Sequence, residues 1–426
     1  MTNLLSIIIS LVVLLLIIFI KDIQSKKNYN RYHGIQYYKL KNYNRVLIVI
    51  SILIFIFATA VDIYQNKYDH NWLSFITIVL NALSIATITL PISLSNIYNI
   101  KESEHKYIYA KYIVTDIYNN KLIKEFNRAG IKVIVLTKKK FHTNIKRVEE
   151  DEFNRKMLTS NLIINTNDKE FITKLDNAIY EFKDLNNLYH KIENSRGKID
   201  NIARSIKYNI LTYLPLILLY FVLIITGYPV YYNILLILFI KLITVIATEF
   251  VYKKMPYDND LMKRRVVIEG KMISGQEILF IIFTAICITF CYSFPYQFII
   301  YQQGTMALAV TIALSTLLFS NIFIIYCLYS ESALLKNIIK AFKSIRVVIL
   351  VLSLIIISVL INFVHILGTK NIGIHNYLVT IIFGFLPLLI IEVVKLARYT
   401  TTKGVKKREI KNNQKHWWGK PSYSFI

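Results

Sequence analysis

Residues Met306–Tyr329 read MALAVTIALSTLLFSNIFIIYCLY, 24 positions without one Asp, Glu, Lys, Arg, Gly or Pro. A bilayer core about 30 Å thick takes roughly 20 apolar residues of helix, so this run is a membrane span. Working outward, eight further apolar segments stand at Leu4–Ile20, Val46–Tyr64, Leu73–Leu94, Leu211–Thr226, Tyr231–Tyr252, Ile278–Phe294, Val347–Leu367 and Tyr377–Leu396. The chain of 426 residues is 55% hydrophobic, with only 12 Gly and 7 Pro. Soluble domains scatter their charge through the chain; here it is swept out of long blocks. The sequence therefore predicts an α-helical polytopic membrane protein of about nine transmembrane helices, and excludes a secreted or cytosolic enzyme. The first segment lacks the basic flank and small-residue cleavage site of a signal peptide, so it is read as a helix.

The net charge of +25 would suggest nucleic acid on a soluble chain. Its location says otherwise. Residues 101–200 hold 20 Lys/Arg against 15 Asp/Glu, and the remaining excess mostly flanks apolar segments. With an external N-terminus, the loops and tail on the inner side carry 26 Lys/Arg and the outer loops 2, Lys67 and Lys370. That asymmetry is what the positive-inside rule demands. Localisation is thus a cell membrane, with the central polar region and the C-terminus cytoplasmic. Nucleic acid is not an expected partner. Heavy use of Ile, Asn, Lys and Tyr points to a low-GC bacterium.

Four parts follow: a three-helix N-terminal membrane region at 1–98, a small cytoplasmic α/β domain at 99–205, a six-helix bundle at 206–398, and a basic tail at 399–426. In the polar part, Asn119–Arg128 reads as a helix stopped by Gly130, a common left-handed terminator. Ile131–Leu136 reads as a buried parallel strand, and Leu162–Ile164 as a second apolar run. Phe171, Leu175, Ala178, Ile179, Phe182 and Leu185 recur at helical spacing over Lys169–His190. From about Asn187 to Lys207 the chain is expected to enter the membrane as a helix.

Cys287, Cys291 and Cys327 all lie in apolar segments. Cys287 and Cys291 share a helix face, but no third ligand completes a soft-metal site; buried thiols as small hydrophobes are the ordinary case. No metal and no cofactor are expected.

The order of parts resembles cation-transporting P-type ATPases. Pro256-Tyr257-Asp258-Asn259-Asp260-Leu261-Met262-Lys263-Arg264 is similar to that family's acidic, Pro-containing stretch before Asp-Leu-Met-Lys-Arg. Asn201–Tyr208 resembles the entry to its fifth membrane helix. Thr305-Met306-Ala307 and Ser330-Glu331-Ser332 look like the two ends of its eighth, and Glu392-Val393-Val394-Lys395 like its closing pattern. Ala129–Thr137 resembles its phosphorylation-domain strand, so 99–205 looks like a reduced remnant of that domain.

The departures from the family are chemical. Its members phosphorylate an aspartate in Asp-Lys-Thr-Gly-Thr, which requires a carboxylate nucleophile and Mg²⁺. Of the eleven aspartates here only Asp168 precedes a Lys, and Glu170 and Phe171 follow. Lys138–Lys140 stand where the family carries an acid. No catalytic residue is expected, and the chain is read as a non-enzyme. Ungapped carry-over puts Tyr213 and Leu216 at the cation-ligand positions of the fifth family helix, and Lys241, Thr244 and Val245 at those of the sixth. Only Thr244 keeps a ligand-type oxygen, whereas Ca²⁺ or Mg²⁺ takes several. Ile92 follows Pro91 where the family has Glu.

Charges inside spans cost about 2.5–3.5 kcal/mol each on insertion scales, so Lys241 and Glu249, on one segment, are the candidate functional polar residues. Glu249 lies near the cytoplasmic end. Lys241 is either a structural ammonium in place of the lost cation or part of a proton or anion site. Asp62 reads as interfacial; Asn81, Asn321, Asn362 and His365 read as interhelical hydrogen-bond partners. Trp417-Trp418 and the Lys403–Lys411 run are read as an interfacial anchor drawn to anionic lipid, or else as a solvated tail. The functional expectation is a non-catalytic accessory or scaffold protein with another membrane protein or complex as partner, plausibly in cell-envelope assembly. The alternative is a transporter subunit for an ion or lipid, without its own ATPase.

Overall fold

A computed structural model describes residues 19–28, 35–39, 41–65, 97–101, 107–110, 112–115, 117–135, 162–165, 179–180, 184–228, 251–252, 261–263, 275–329, 342–363 and 369–418, with a few isolated positions between. The elements in order are β1 (Ile35–Lys39), α1 (Lys41–Gln65), β2 (Ile97–Lys101), β3 (Tyr112–Thr115), α2 (Asn120–Arg128), β4 (Lys132–Val135), β5 (Leu162–Asn165) and β6 (Ile179–Tyr180). They continue with α3 (Leu185–Ile225), a 3₁₀ turn at Leu261–Lys263, α4 (Gly275–Tyr301), α5 (Met306–Leu328), α6 (Ile345–Phe363) and α7 (Gly373–Trp418).

The polar region holds a helix, α2, whose start and stop are built as its sequence requires. Asn119 Oδ1 accepts the Leu122 amide at 3.3 Å, an N-cap that satisfies one orphan donor. Gly130 takes φ 77° just beyond the helix, and the Ile131 amide returns to the Phe126 carbonyl at 2.9 Å. Leu122, Ile123 and Phe126 fall on one face and are buried. That face meets a four-stranded sheet of order β4-β3-β5-β6, parallel throughout. Tyr112 pairs with Lys132 on one side and Leu162 on the other. The expected strand at Ile131–Leu136 is present but lies at the sheet edge.

One expectation fails here. Helical spacing predicts a helix over Lys169–His190; residues 169–178 and 181–183 lie outside the described residues, and between them Ile179 and Tyr180 form β6, paired with Ile163 and Ile164. A β-branched and aromatic pair adds a strand to a parallel sheet more favourably than it extends a short amphipathic helix. The helix begins only at Leu185.

From there α3 runs 41 residues without a break. Leu185, Leu188 and Ile192 sit in the apolar cluster of the sheet unit with Phe126, Ile131 and Met262. Ile202, Ile206, Leu211, Leu219 and Leu223 sit in the cluster of the helical bundle. One helix thus belongs to both cores, and the expected division at 205/206 falls inside it.

Five helices among the described residues are long and apolar enough to cross a membrane: α3, and the spans Glu277–Tyr301, Met306–Leu328, Ile345–Phe363 and Gly373–Ala397. α1 holds the shorter apolar run Arg45–Val61. The expected segments Leu4–Ile20, Leu73–Leu94 and Tyr231–Tyr252 lie almost wholly outside the described residues, as does Pro91. α5 is buried along most of its length and is the centre of the bundle. Around it, Val49, Ile56, Phe283, Phe290, Phe294, Ile356 and Ile382 point outward and are exposed. Apolar side chains in that quantity on a bundle's outer face suit hydrocarbon, not water. Beyond Ala397 the backbone of α7 stays helical to Trp418, through most of the basic tail.

Candidate functional site

Tyr213 and Leu216 lie in the membrane half of α3, 1% and 4% exposed, inside the bundle core. Between them is Pro215, whose ring removes a helix donor. Its own carbonyl accepts the Thr289 hydroxyl of α4 at 3.5 Å. One turn earlier, Thr212 Oγ1 donates to Asn321 Oδ1 of α5 at 3.0 Å, with both residues fully buried. This pair crosses the midregion where the family's cation ligands are expected, and it confirms Asn321 as an interhelical partner.

Three other hydroxyls on α5, those of Thr311, Thr316 and Ser320, turn back on their own helix. Thr316 donates to the Ile312 carbonyl and Ser320 to the Thr316 carbonyl, each at 2.8 Å. From Tyr208 to Ile225, from Ile278 to Tyr301, and along all of α5, the sequence has no charged residue. The side-chain donors these three stretches offer are neutral hydroxyls, phenols and amides. Such a set binds a divalent cation poorly, because hard cations need several oxygens, usually including carboxylates.

Lys241, Thr244, Val245 and Glu249 lie outside the described residues. Neighbouring Ala247, Val251 and Tyr252 are buried, and the Tyr252 ring meets Tyr208 of α3 at 5.0 Å. Among the described residues no three His, Cys, Asp or Glu side chains gather as metal ligands. Cys291 donates weakly to the carbonyl of Cys287, one turn back. Asn362 donates to the Ser358 carbonyl of its own helix at 2.9 Å, so its described bond is not interhelical.

Sequence reasoning missed a second constellation, at the polar end of the bundle. Arg196 Nη1 donates to the Ala129 carbonyl at 3.0 Å, joining α3 to the end of α2. Burial pulls its guanidinium down to about 10, with Tyr189 acting the other way; it stays charged at neutral pH. Asn201 Nδ2 donates to the Met255 carbonyl at 2.8 Å. Met262, in the 3₁₀ turn, fills the core of the sheet unit. Arg204 is completely buried, bonding the Tyr329 carbonyl and Asp200 Oδ2, both at 2.6 Å. Lys207 reaches Glu277 of α4 at 3.3 Å. Lys191 lies over the Tyr107 ring at 5.6 Å, and Lys198 pairs with Glu104, strapping the segment after β2 along α3. Of these cations Lys191, Arg196 and Lys198 enter the sequence reading only as part of the charge of residues 101–200. The signal that marks Arg204 and Lys395 is Asp200 four residues before the first, and Glu392 three before the second, at the edges of apolar runs.

The comparisons with known proteins now bear on this architecture. The family described as "Cation transporting ATPase, C-terminus" matches residues 229–397. That part of the chain resembles the C-terminal membrane domain of P-type ATPases. No curated protein matches the chain.

Proposed function

We propose that this is a non-catalytic membrane protein that uses a P-type-ATPase membrane domain as a scaffold. In this reading the sheet unit is a cytoplasmic remnant of the phosphorylation domain, and nine spans cross the bilayer. It docks another membrane protein or complex, with anionic lipid at the basic loops and tail, and supports cell-envelope assembly. The observation that carries the reading is the filling of the fifth-helix ligand positions. Tyr213 and Leu216 are packed into the apolar core, and the nearby Thr212 hydroxyl is spent on Asn321. A helix whose ligand positions are used for packing holds a bundle together; it does not alternately bind and release an ion.

Lys241 favours the second reading, a transporter subunit, because a midspan ammonium is costly unless it serves a path or a partner. Catalysis separates both readings from a working pump. Purified protein incubated with Mg²⁺ and radiolabelled ATP should retain no acid-stable label. Label above background that disappears when one aspartate is replaced by Asn overturns the non-catalytic reading. Capture from membranes should then bring down a membrane partner that survives high-salt washing.

A further inference from the structure

The carboxyl end of α5 is unusual in where it stops. A helix leaves its last four carbonyls without intrahelical partners, and here they lie inside protein: Cys327 is 0% and Tyr329 5% exposed. The cap residue Tyr329 stays in the right-handed region. Two cations from distant helices take two carbonyls at this end, while the Tyr326 carbonyl accepts the Tyr329 amide at 3.3 Å. Arg204 of α3 donates to the Tyr329 carbonyl at 2.6 Å. Lys395 of α7 donates to the Cys327 carbonyl.

Each cation is also paired within its own helix, Arg204 with Asp200 at 2.6 Å and Lys395 with Glu392 at 2.9 Å. The charges are thereby balanced, and each ammonium or guanidinium is aimed rather than free to rotate. Cations at a helix carboxyl end are favoured by the macrodipole, and bonds from charged donors are the stronger class. α3 and α7 therefore grip the same turn of α5 from two sides. Eight residues before Arg204, Arg196 grips the end of α2 in the sheet unit in the same manner.

We infer that the end of α5 is the joint that couples the sheet unit to the C-terminal helix. Arg196 fixes the unit to α3, Arg204 fixes α3 to α5, and Lys395 fixes α5 to α7. A displacement of the sheet unit then carries the outgoing part of α7, and with it the basic tail, as one body. The inference holds whether the bundle is a scaffold or part of a transporter, so it fails or stands apart from the proposed function.

The test uses the full chain in lipid nanodiscs with spin-label pairs. One pair, at Lys124 and Leu396, spans the joint. A control pair, at Lys124 and Ile225, stays on the sheet unit and α3. The native protein should give a narrow distance distribution for both. Lys395→Met should broaden the spanning pair and leave the control narrow, and Lys395→Arg should restore the spanning pair. Arg204→Met should likewise broaden the spanning pair. A spanning pair that stays narrow in Lys395→Met overturns the joint, even where the melting temperature falls, because the cation then only stabilises. A spanning pair that stays broad in Lys395→Arg also overturns it, since charge would not be what holds α7. Should Lys395→Met disturb the control pair too, Lys395→Gln replaces it under the same criteria.

Discussion

Gly384 decides how closely α7 approaches the central helix. A Cβ built there would meet Phe319 Cβ at 2.5 Å, with the Ser320 amide and Thr316 carbonyl at 3.3 Å. Backbone and a Cβ cannot move aside as a flexible side-chain tip can. Gly384→Ala should therefore force α5 and α7 apart and cost about 1–3 kcal/mol, the usual range for overpacking. A melting curve in detergent reads this loss; an unchanged midpoint would mean the helices part freely at that point. Lys241 poses the other residue-scale question. As a structural ammonium it engages acceptors in the bundle, and Lys241→Met should then lower stability by about 1–3 kcal/mol for each acceptor left bare, with partner binding retained. A variant that melts like the native protein but has lost all cellular activity favours the transporter reading. Sequence alone singled out Lys241 because a charge inside an apolar run is visible without coordinates. It gave no hint of Gly384, because helix proximity leaves no mark on a lone glycine.

At the level of elements, α2 and α3 carry the lesson about legibility. Asn119, the apolar face and Gly130 are local signals, and the helix they announce is present within a residue of its expected ends. The stretch before α3 misled because its helical spacing is also local, whereas β6 exists only through pairing with β5 far back in the chain. Likewise the continuity of α3 was foreseen from its apolar entry, but its membership of two cores was not. Arg196 is where that membership can be tested. Arg196→Met keeps much of the apolar stem and strips the Ala129 carbonyl of its buried partner, a loss typically worth about 1–3 kcal/mol. Amide exchange should quicken across residues 120–135 while α5 remains protected. Equal exchange in both proteins would show that α2 docks on α3 through apolar contact alone.

For the molecule as a whole, the charge asymmetry predicts the orientation. In a background with the three native cysteines replaced, single cysteines at Asn66 and Lys370 should react with membrane-impermeant maleimide in intact cells. Cysteines at Ser160 and Thr402 should react only after lysis, and the reverse pattern would overturn the assignment of sides. The membrane class was legible because hydrocarbon thickness writes itself into the length of every span. Of the family positions carried over from the sequence, Tyr213 and Leu216 lie in the bundle core. Of the buried cations at the end of the bundle, Arg204 and Lys395 are marked in the sequence only by an acid three or four residues earlier; apart from that they look like any charge beside a span.

The β1–β2 ribbon constrains how this protein can be made. Ile35 pairs with Lys101 and Lys39 with Ile97, so two short strands meet across a long intervening stretch that holds α1 and the expected segment Leu73–Leu94. Two strands can zip together only in the same aqueous compartment, and so the chain between them must cross the bilayer an even number of times or not at all. A ribosome delivers β1 long before β2, so if α1 and Leu73–Leu94 are both spans, β1 waits while both segments commit to the membrane. If only one of them inserted, β2 would emerge in the wrong compartment and the ribbon could not close. Two five-residue strands thus act as a parity check on biogenesis, passed only when α1 and the Leu73–Leu94 segment have gone in as a pair or not at all.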